Sequence, residues 1–155
     1  MQFLNYFFAS IISCMGLFIG IILIKIAPEE QKPLRNYFEL ARKMTLTLIF
    51  LFLAFYYSGN PFYLIALLLY MVFIIFIEFK LKDLFKKSAV IYSALGILFY
   101  LSSKNLNLFV IESSLILIYG IQTASLLYSK RGKNYIKLFL YTVGYIIIAN
   151  LAYLI

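Results

Sequence analysis

The stretch "PFYLIALLLYMVFIIFIEFKLKDLFKKSAVIYSALGILFYLSSKN", residues 61–105, holds two apolar runs, about 61–79 and 86–103, joined by a short lysine-rich connection. A hydrocarbon core of about 30 Å takes about 20 helical residues to cross. The first run nearly reaches that length as it stands. The second reaches it if Lys86 and Lys87 extend their charged ends to the headgroups. A turn, YSGNPFY (57–63) with Gly59 and Pro61, precedes the pair, and SSKNLN (102–107) follows it. Connections that short force neighbouring helices to pack antiparallel.

The same alternation extends in both directions. Further apolar runs lie at about 3–27, 40–57, 107–128 and 135–155, the second of them reaching membrane length if Arg42 and Lys43 snorkel. The composition agrees: at 65% hydrophobic and 13% charged, a 155-residue chain has more apolar surface than a soluble domain of that size can hide. The expected fold is all-α, a single polytopic transmembrane helix bundle over residues 1–155 with six spans.

Charge placement orients it. Lys25, Lys32, Arg35, Arg42 and Lys43 cluster at the first connection, Lys80, Lys82, Lys86 and Lys87 at the third, and Lys130, Arg131, Lys133 and Lys137 at the fifth. Of the 14 basic residues, only Lys104 falls on the opposite side. The positive-inside rule therefore predicts cytoplasmic basic loops in a cell membrane, with the N- and C-termini both outside. Tyrosines repeat the pattern: Tyr6, Tyr56, Tyr57, Tyr63, Tyr100 and Tyr153 fall at outer ends and Tyr37, Tyr128 and Tyr135 at inner ends, as two aromatic belts would. The first run lacks a positive leading region and is long, which reads as a retained span. The net charge of +8 is accounted for by these loops, and no nucleic-acid partner is expected.

The inventory of reactive groups is small. The chain has no His, no Trp, a single Cys (Cys14, mid-span) and a single Asp (Asp83). His-based acid–base chemistry and the usual zinc and haem ligand sets are thereby missing. No GxSxG, HExxH, Walker loop or paired aspartates occur. The expectation is a protein without catalytic residues, metal or cofactor.

Ionisable groups inside spans are costly and point to function by default. Glu112 lies about five residues into the fifth span, about 8 Å below its outer edge at 1.5 Å per residue. Tyr119 and Thr123 follow on the same helical face, with Gln122 nearby. Together they make a candidate polar site for a cation, a proton or a polar ligand. Asn5, Asn150, Tyr70 and Tyr145 are further polar groups at depth, expected to bond between helices. Glu78 is expected to pair with Lys82 at the inner end of span three. Ala9, Ser13, Gly16 and Gly20 recur at helical spacing on one face of the first span, with a GxxxG pair suited to close backbone packing. Gly120 and Ala124 in span five, and Ala89, Ser93 and Gly96 in span four, are similar small-residue sets.

One passage breaks the apolar pattern. IAPEEQKPLRNYFELARK (26–43) carries three of the six acidic residues and two of the three prolines. Pro28 suits the first turn of a helix, with Glu29 and Glu30 near its positive end, and Pro33 repeats the device. From there Leu34, Tyr37, Phe38 and Ala41 form an apolar stripe, while Arg35, Glu39 and Lys43 can form two ion pairs. This predicts an amphipathic cytoplasmic lead-in over 33–43 running into span two. Glu29, Glu30, Gln31 and Arg35 form a candidate contact loop for a partner or a cation.

GLFIG (16–20), KIAPEE (25–30) and KPLRNYF (32–38) resemble a group of small uncharacterised archaeal multi-spanning membrane proteins, which have a glycine-rich first span followed by a Glu- and Pro-containing loop. The likeness covers about 30 residues and implies no activity. The leading expectation is a non-enzymatic scaffold or accessory subunit. Its partners would be the bilayer and another membrane or cytoplasmic protein, with its oligomeric state left open. The alternative is a small permease or ion-coupled carrier using an outward-opening cavity at Glu112. A third is a lipid-modifying enzyme, which requires a cleft joining Glu29 and Glu30 to basic side chains.

Overall fold

The computed structural model describes residues 2–29, 31–81, 83–126 and 134–155, and these are almost entirely helical. Seven α-helices follow in order: α1 (Phe3–Cys14), α2 (Gly16–Ile26), α3 (Gln31–Tyr56), α4 (Pro61–Lys80), α5 (Leu84–Ser102), α6 (Leu106–Ser125) and α7 (Asn134–Leu154), with a 3₁₀ turn at Tyr57–Gly59. Four stretches are long and apolar enough to cross a membrane: Phe3–Ile26, Pro61–Lys80, Leu84–Ser102 and Leu106–Ser125. In α3 the charges of Glu39, Arg42 and Lys43 precede the uncharged run from Met44 to Tyr56.

α1 and α2 form one rod bent at Met15. The Met15 N–H is shared between the Ile11 and Ile12 carbonyls, at 3.1 and 3.0 Å. Just before the bend, Ser10 and Ser13 donate back to the Phe7 and Ser10 carbonyls, a pattern that bends helices. Elsewhere polar caps set the helix starts. Asn60 accepts from the Phe62 N–H with Pro61 in the first position of α4, Asp83 accepts from the Phe85 N–H, and Asn105 accepts from the Leu108 N–H. Tight connections then fold α4 back on α5 and α5 on α6.

α6 is the central helix, packed against α1, α2, α3 and α5, while α7 lies along α5. α4 is peripheral. Its buried residues are Leu67, Ile74 and Glu78, a single stripe, and the large side chains around them face outward. Such a helix, apolar all round with one narrow contact stripe, suits lipid rather than water.

Small residues set the tightest contact, where α2 crosses α6. A Cβ on Gly20 would come within 2.6 Å of the Ala124 Cβ, and one on Gly120 within 2.9 Å of the Leu17 N; one on Gly16 would overlap the Leu117 carbonyl. Gly16 and Gly20 thus face Gly120 and Ala124, small-xxx-small against small-xxx-small. Gly96 plays the same part where α5 meets α7: a Cβ there would come within 2.9 Å of the Tyr145 carbonyl oxygen.

The expected second span and its lead-in lie on one continuous 26-residue helix, α3, on which Leu34 and Tyr37 are exposed. Several other expectations are corrected. Pro28 starts no helix: it lies in the connection after α2, and Pro33 is the proline inside a first helical turn. Arg42 and Lys87 turn inward instead of snorkelling. Tyr6, expected in the outer belt, is fully buried and donates to the Ala149 carbonyl at 2.9 Å. Glu30, Lys82, Tyr128, Lys130, Arg131 and Lys133 lie outside the described residues, as does the 127–128 end of the expected fifth span.

Candidate functional site

Among the described residues, an arginine heads the fully buried side chains by size. Arg42 of α3 is closed off from solvent, and its guanidinium Nη2 is hydrogen-bonded to Oε1 of Glu78 on α4. Lys87 of α5 donates to the same oxygen at 3.2 Å and to the Glu78 carbonyl at 3.3 Å. The local reason is the connection after α4. Glu78 sits in the last turn of α4 and Lys87 in the first turn of α5, so reversing the chain brings them together. Arg42 reaches the pair because α3 starts at Gln31, about three turns earlier, and carries it down beside α4.

Charge in this cluster is unbalanced. Two cations share one carboxylate oxygen, while Glu78 Oε2 and the Arg42 Nε and Nη1 have no hydrogen-bond partner among the described residues. Arg42 also lies over the ring of Tyr119, 5.9 Å from its centroid, an arrangement favourable to a desolvated guanidinium. Two cavities adjoin the cluster. One of about 370 Å³ is lined by Glu39, Lys43, Glu78, Phe79, Leu81 and Lys87. The other, about 100 Å³, is lined by Arg35, Glu39, Arg42, Leu84, Lys87 and Leu126. Glu39 is engaged with Lys43 at 3.3 Å.

The sequence singled out Arg35, which does line this site. It assigned Glu78 to Lys82 and missed the Arg42–Glu78–Lys87 cluster. The one available signal was three ionisable groups falling just inside the ends of apolar runs, all at the same predicted side. Of the expected contact loop, Glu29 is exposed and lines neither cavity, Gln31 begins α3, and Glu30 is outside the described residues. The cavities at this end are lined by Glu39 and Glu78, and Glu29 lines neither, so they are not the cleft joining Glu29 and Glu30 to basic side chains that the lipid-modifying reading requires.

The second candidate lies along α6. Glu112, Tyr119 and Thr123 are all fully buried on one face, as their spacing predicts, and Gln122 is half-buried beside them. Among the described residues neither Glu112 carboxyl oxygen nor the Gln122 Oε1 has a hydrogen-bond partner, and the Thr123 hydroxyl lies near those of Tyr92 and Tyr119. The ring of Tyr92 on α5 meets that of Tyr119 at 5.7 Å. A groove beside Glu112 is lined by Ala9, Ile12, Ser13, Phe109, Val110, Ser113, Ser114 and Leu117. Glu112 is fully buried and does not line this groove, so the groove is not the outward-opening cavity expected at Glu112.

Other polar groups hold helices together. The Ser13 and Tyr145 hydroxyls are 2.6 Å apart, and Asn150 donates to Ser10 at 3.1 Å, tying α1 to α7. Ser13 therefore faces α7, while Gly16 and Gly20 beyond the bend face α6; Ala9 packs partly buried on the core. Asn5 is exposed. Tyr70 lines a mainly apolar groove of about 270 Å³ between α4 and α5, with Tyr57, Tyr63 and Leu101. Among the described residues no three His, Cys, Asp or Glu side chains gather as metal ligands would.

Comparison with protein-family models, with curated proteins and with solved structures returns no match. The class that the structure defines is an all-helical bundle with four membrane-length apolar helices and a charged cluster buried at one end of it.

Proposed function

We propose that this chain is a six-span membrane protein acting without catalysis, as a scaffold or accessory subunit. Its basic connections and the Arg42–Glu78–Lys87 site face the cytoplasm, and both termini lie outside. The observation that carries the reading is the distribution of polarity. The helix crossings are closed by glycine and alanine, whereas charged cavities gather at the end where α3, α4 and α5 meet. That end presents Lys43, Lys80 and Lys86 as well, and Lys104 follows the opposite ends of the same helices. A charged, recessed face on an otherwise lipid-coated bundle is suited to contact.

Two measurements test it. Single cysteines placed at Ser58 and at Lys86, in a Cys14→Ala background, should be labelled by an impermeant thiol reagent from opposite sides of the membrane, Ser58 from outside. The reverse pattern overturns the orientation. Purification from native membranes in mild detergent should recover the 18.0 kDa chain with a partner at fixed stoichiometry. A monomer with no partner overturns the subunit role.

A second reading, a proton- or cation-coupled carrier, has one observation in its favour. Glu112 is a buried carboxyl with neither oxygen bonded among the described residues, and such a group is satisfied by taking up a proton or a cation. Flux in proteoliposomes that disappears in Glu112→Gln would establish that reading. No gradient-driven flux by the intact chain would remove it.

A further inference from the structure

We propose that the cavities flanking Lys87, where α3, α4 and α5 meet, bind a phosphate group, carried by a lipid headgroup or by a soluble phosphorylated compound. Charge is the first argument. The side chains lining the two cavities include four cations (Arg35, Arg42, Lys43 and Lys87) and two carboxylates (Glu39 and Glu78). Glu39 pairs with Lys43 and also adds to the field at Arg42 and Lys87, while Glu78 bonds both Arg42 and Lys87, so two carboxylates serve four cations. A buried cation without its counter-charge is strongly unfavourable, so the arrangement calls for an anion.

Hydrogen bonding is the second argument. Arg42 is fully buried, its Nη2 is taken by Glu78, and its Nε and Nη1 meet no acceptor among the described residues. Arg35 on the rim has no ion-pair partner among them either. Donors approaching from α3 and from α5 on different sides need a ligand with several acceptor oxygens. A phosphate meets that need better than a carboxylate and matches an excess of two positive charges.

Shape is the third argument. Phe79, Leu81, Leu84 and Leu126 complete the lining, so an apolar wall stands beside the charged one at the end of lipid-facing α4. A phosphate attached to an apolar or glycerol-like body fits such a boundary. The proposal requires neither a partner protein nor a given orientation. Its failure would leave the subunit reading standing, and the reverse is also true.

The test uses the full chain in an uncharged detergent, with binding followed by native mass spectrometry and by the shift in thermal midpoint. The probes are dioleoyl phosphatidic acid, dioleoyl phosphatidylcholine and inorganic phosphate. Phosphatidic acid should bind and raise the midpoint, and phosphatidylcholine should not. Inorganic phosphate that raises the midpoint by itself, or displaces the lipid, assigns the site to a soluble phosphate. Lipid binding that phosphate cannot displace assigns it to a headgroup. Arg35→Gln and Lys43→Gln, on the rim and outside the packed core, should each weaken phosphatidic acid or phosphate binding about tenfold, the loss expected for one charge-assisted bond. Lys80→Gln and Lys86→Gln, at the same end but not lining the cavities, should leave binding unchanged. Equal response to phosphatidylcholine, wild-type binding in the rim variants, equal weakening in the Lys80 and Lys86 variants, or no response to any probe would each overturn the proposal.

Discussion

Glu78 and Glu112 are both closed off from solvent inside a bundle of apolar helices, and their surroundings could hardly differ more. Glu78 stands between a guanidinium and an ammonium, with one oxygen accepting from both. Glu112 sits on the central helix with neither oxygen bonded. Removing two ions from water costs several kcal/mol each unless geometry and hydrogen bonds restore it. At Glu78 the cations supply that restoration, and the carboxylate in turn keeps two cations inside. At Glu112 nothing among the described residues does so. The first carboxyl is therefore part of what holds three helices together, whereas the second is a cost the fold carries.

The largest expected effect breaks the first half of that contrast. Glu78→Ala leaves Arg42 and Lys87 buried without a partner and should destabilise the protein by about 3–5 kcal/mol, read from unfolding in mixed detergent–denaturant micelles. Replacing all three with Met should recover most of that loss, because a well-packed apolar trio avoids the desolvation cost altogether. A triple variant as unstable as Glu78→Ala would show that shape rather than charge holds the site.

Next comes a yardstick from the apolar packing. Gly16→Ala forces a methyl onto the Leu117 carbonyl and should cost about 1–3 kcal/mol, while Gly59→Ala, which meets nothing within 4 Å, should cost little. Glu112→Met should then run in the opposite direction, gaining about 1 kcal/mol by removing an unpartnered polar group. A clear loss of stability there would mean that Glu112 has a partner and that the contrast with Glu78 is false. The smallest effect belongs to the Glu39–Lys43 pair, one helical turn apart and partly exposed. Lys43→Gln should change stability by no more than about 0.5 kcal/mol in the same assay.

Much of this architecture was legible in the residues. The apolar runs, the turn at 57–63 and the small-residue spacings of Gly16, Gly20, Gly120 and Ala124 all correspond to observed helices, a connection and a crossing. Glu112, Tyr119 and Thr123 were placed on one face by spacing alone, and that face proved to be the inward one. The charged site was read differently. Local rules paired Glu78 with a residue four positions on and sent Arg42 and Lys87 to the headgroups, since snorkelling is the ordinary fate of a long basic side chain near a helix end. Tyr6 was likewise placed by its distance from the end of a run, which says nothing of the neighbours it meets.

The sequence by itself determined the class of molecule and the positions of its helices, because hydropathy and turn chemistry act over a few neighbouring residues and dominate in a chain so apolar. Only the tertiary structure decided which charges are buried together. Arg42 and Glu78 lie 36 positions apart, and they meet because α3 and α4 pack side by side with a particular rotation about their axes. That rotation is a property of the assembled bundle, set by the packing of α3 and α5 on α6, and no local periodicity records it.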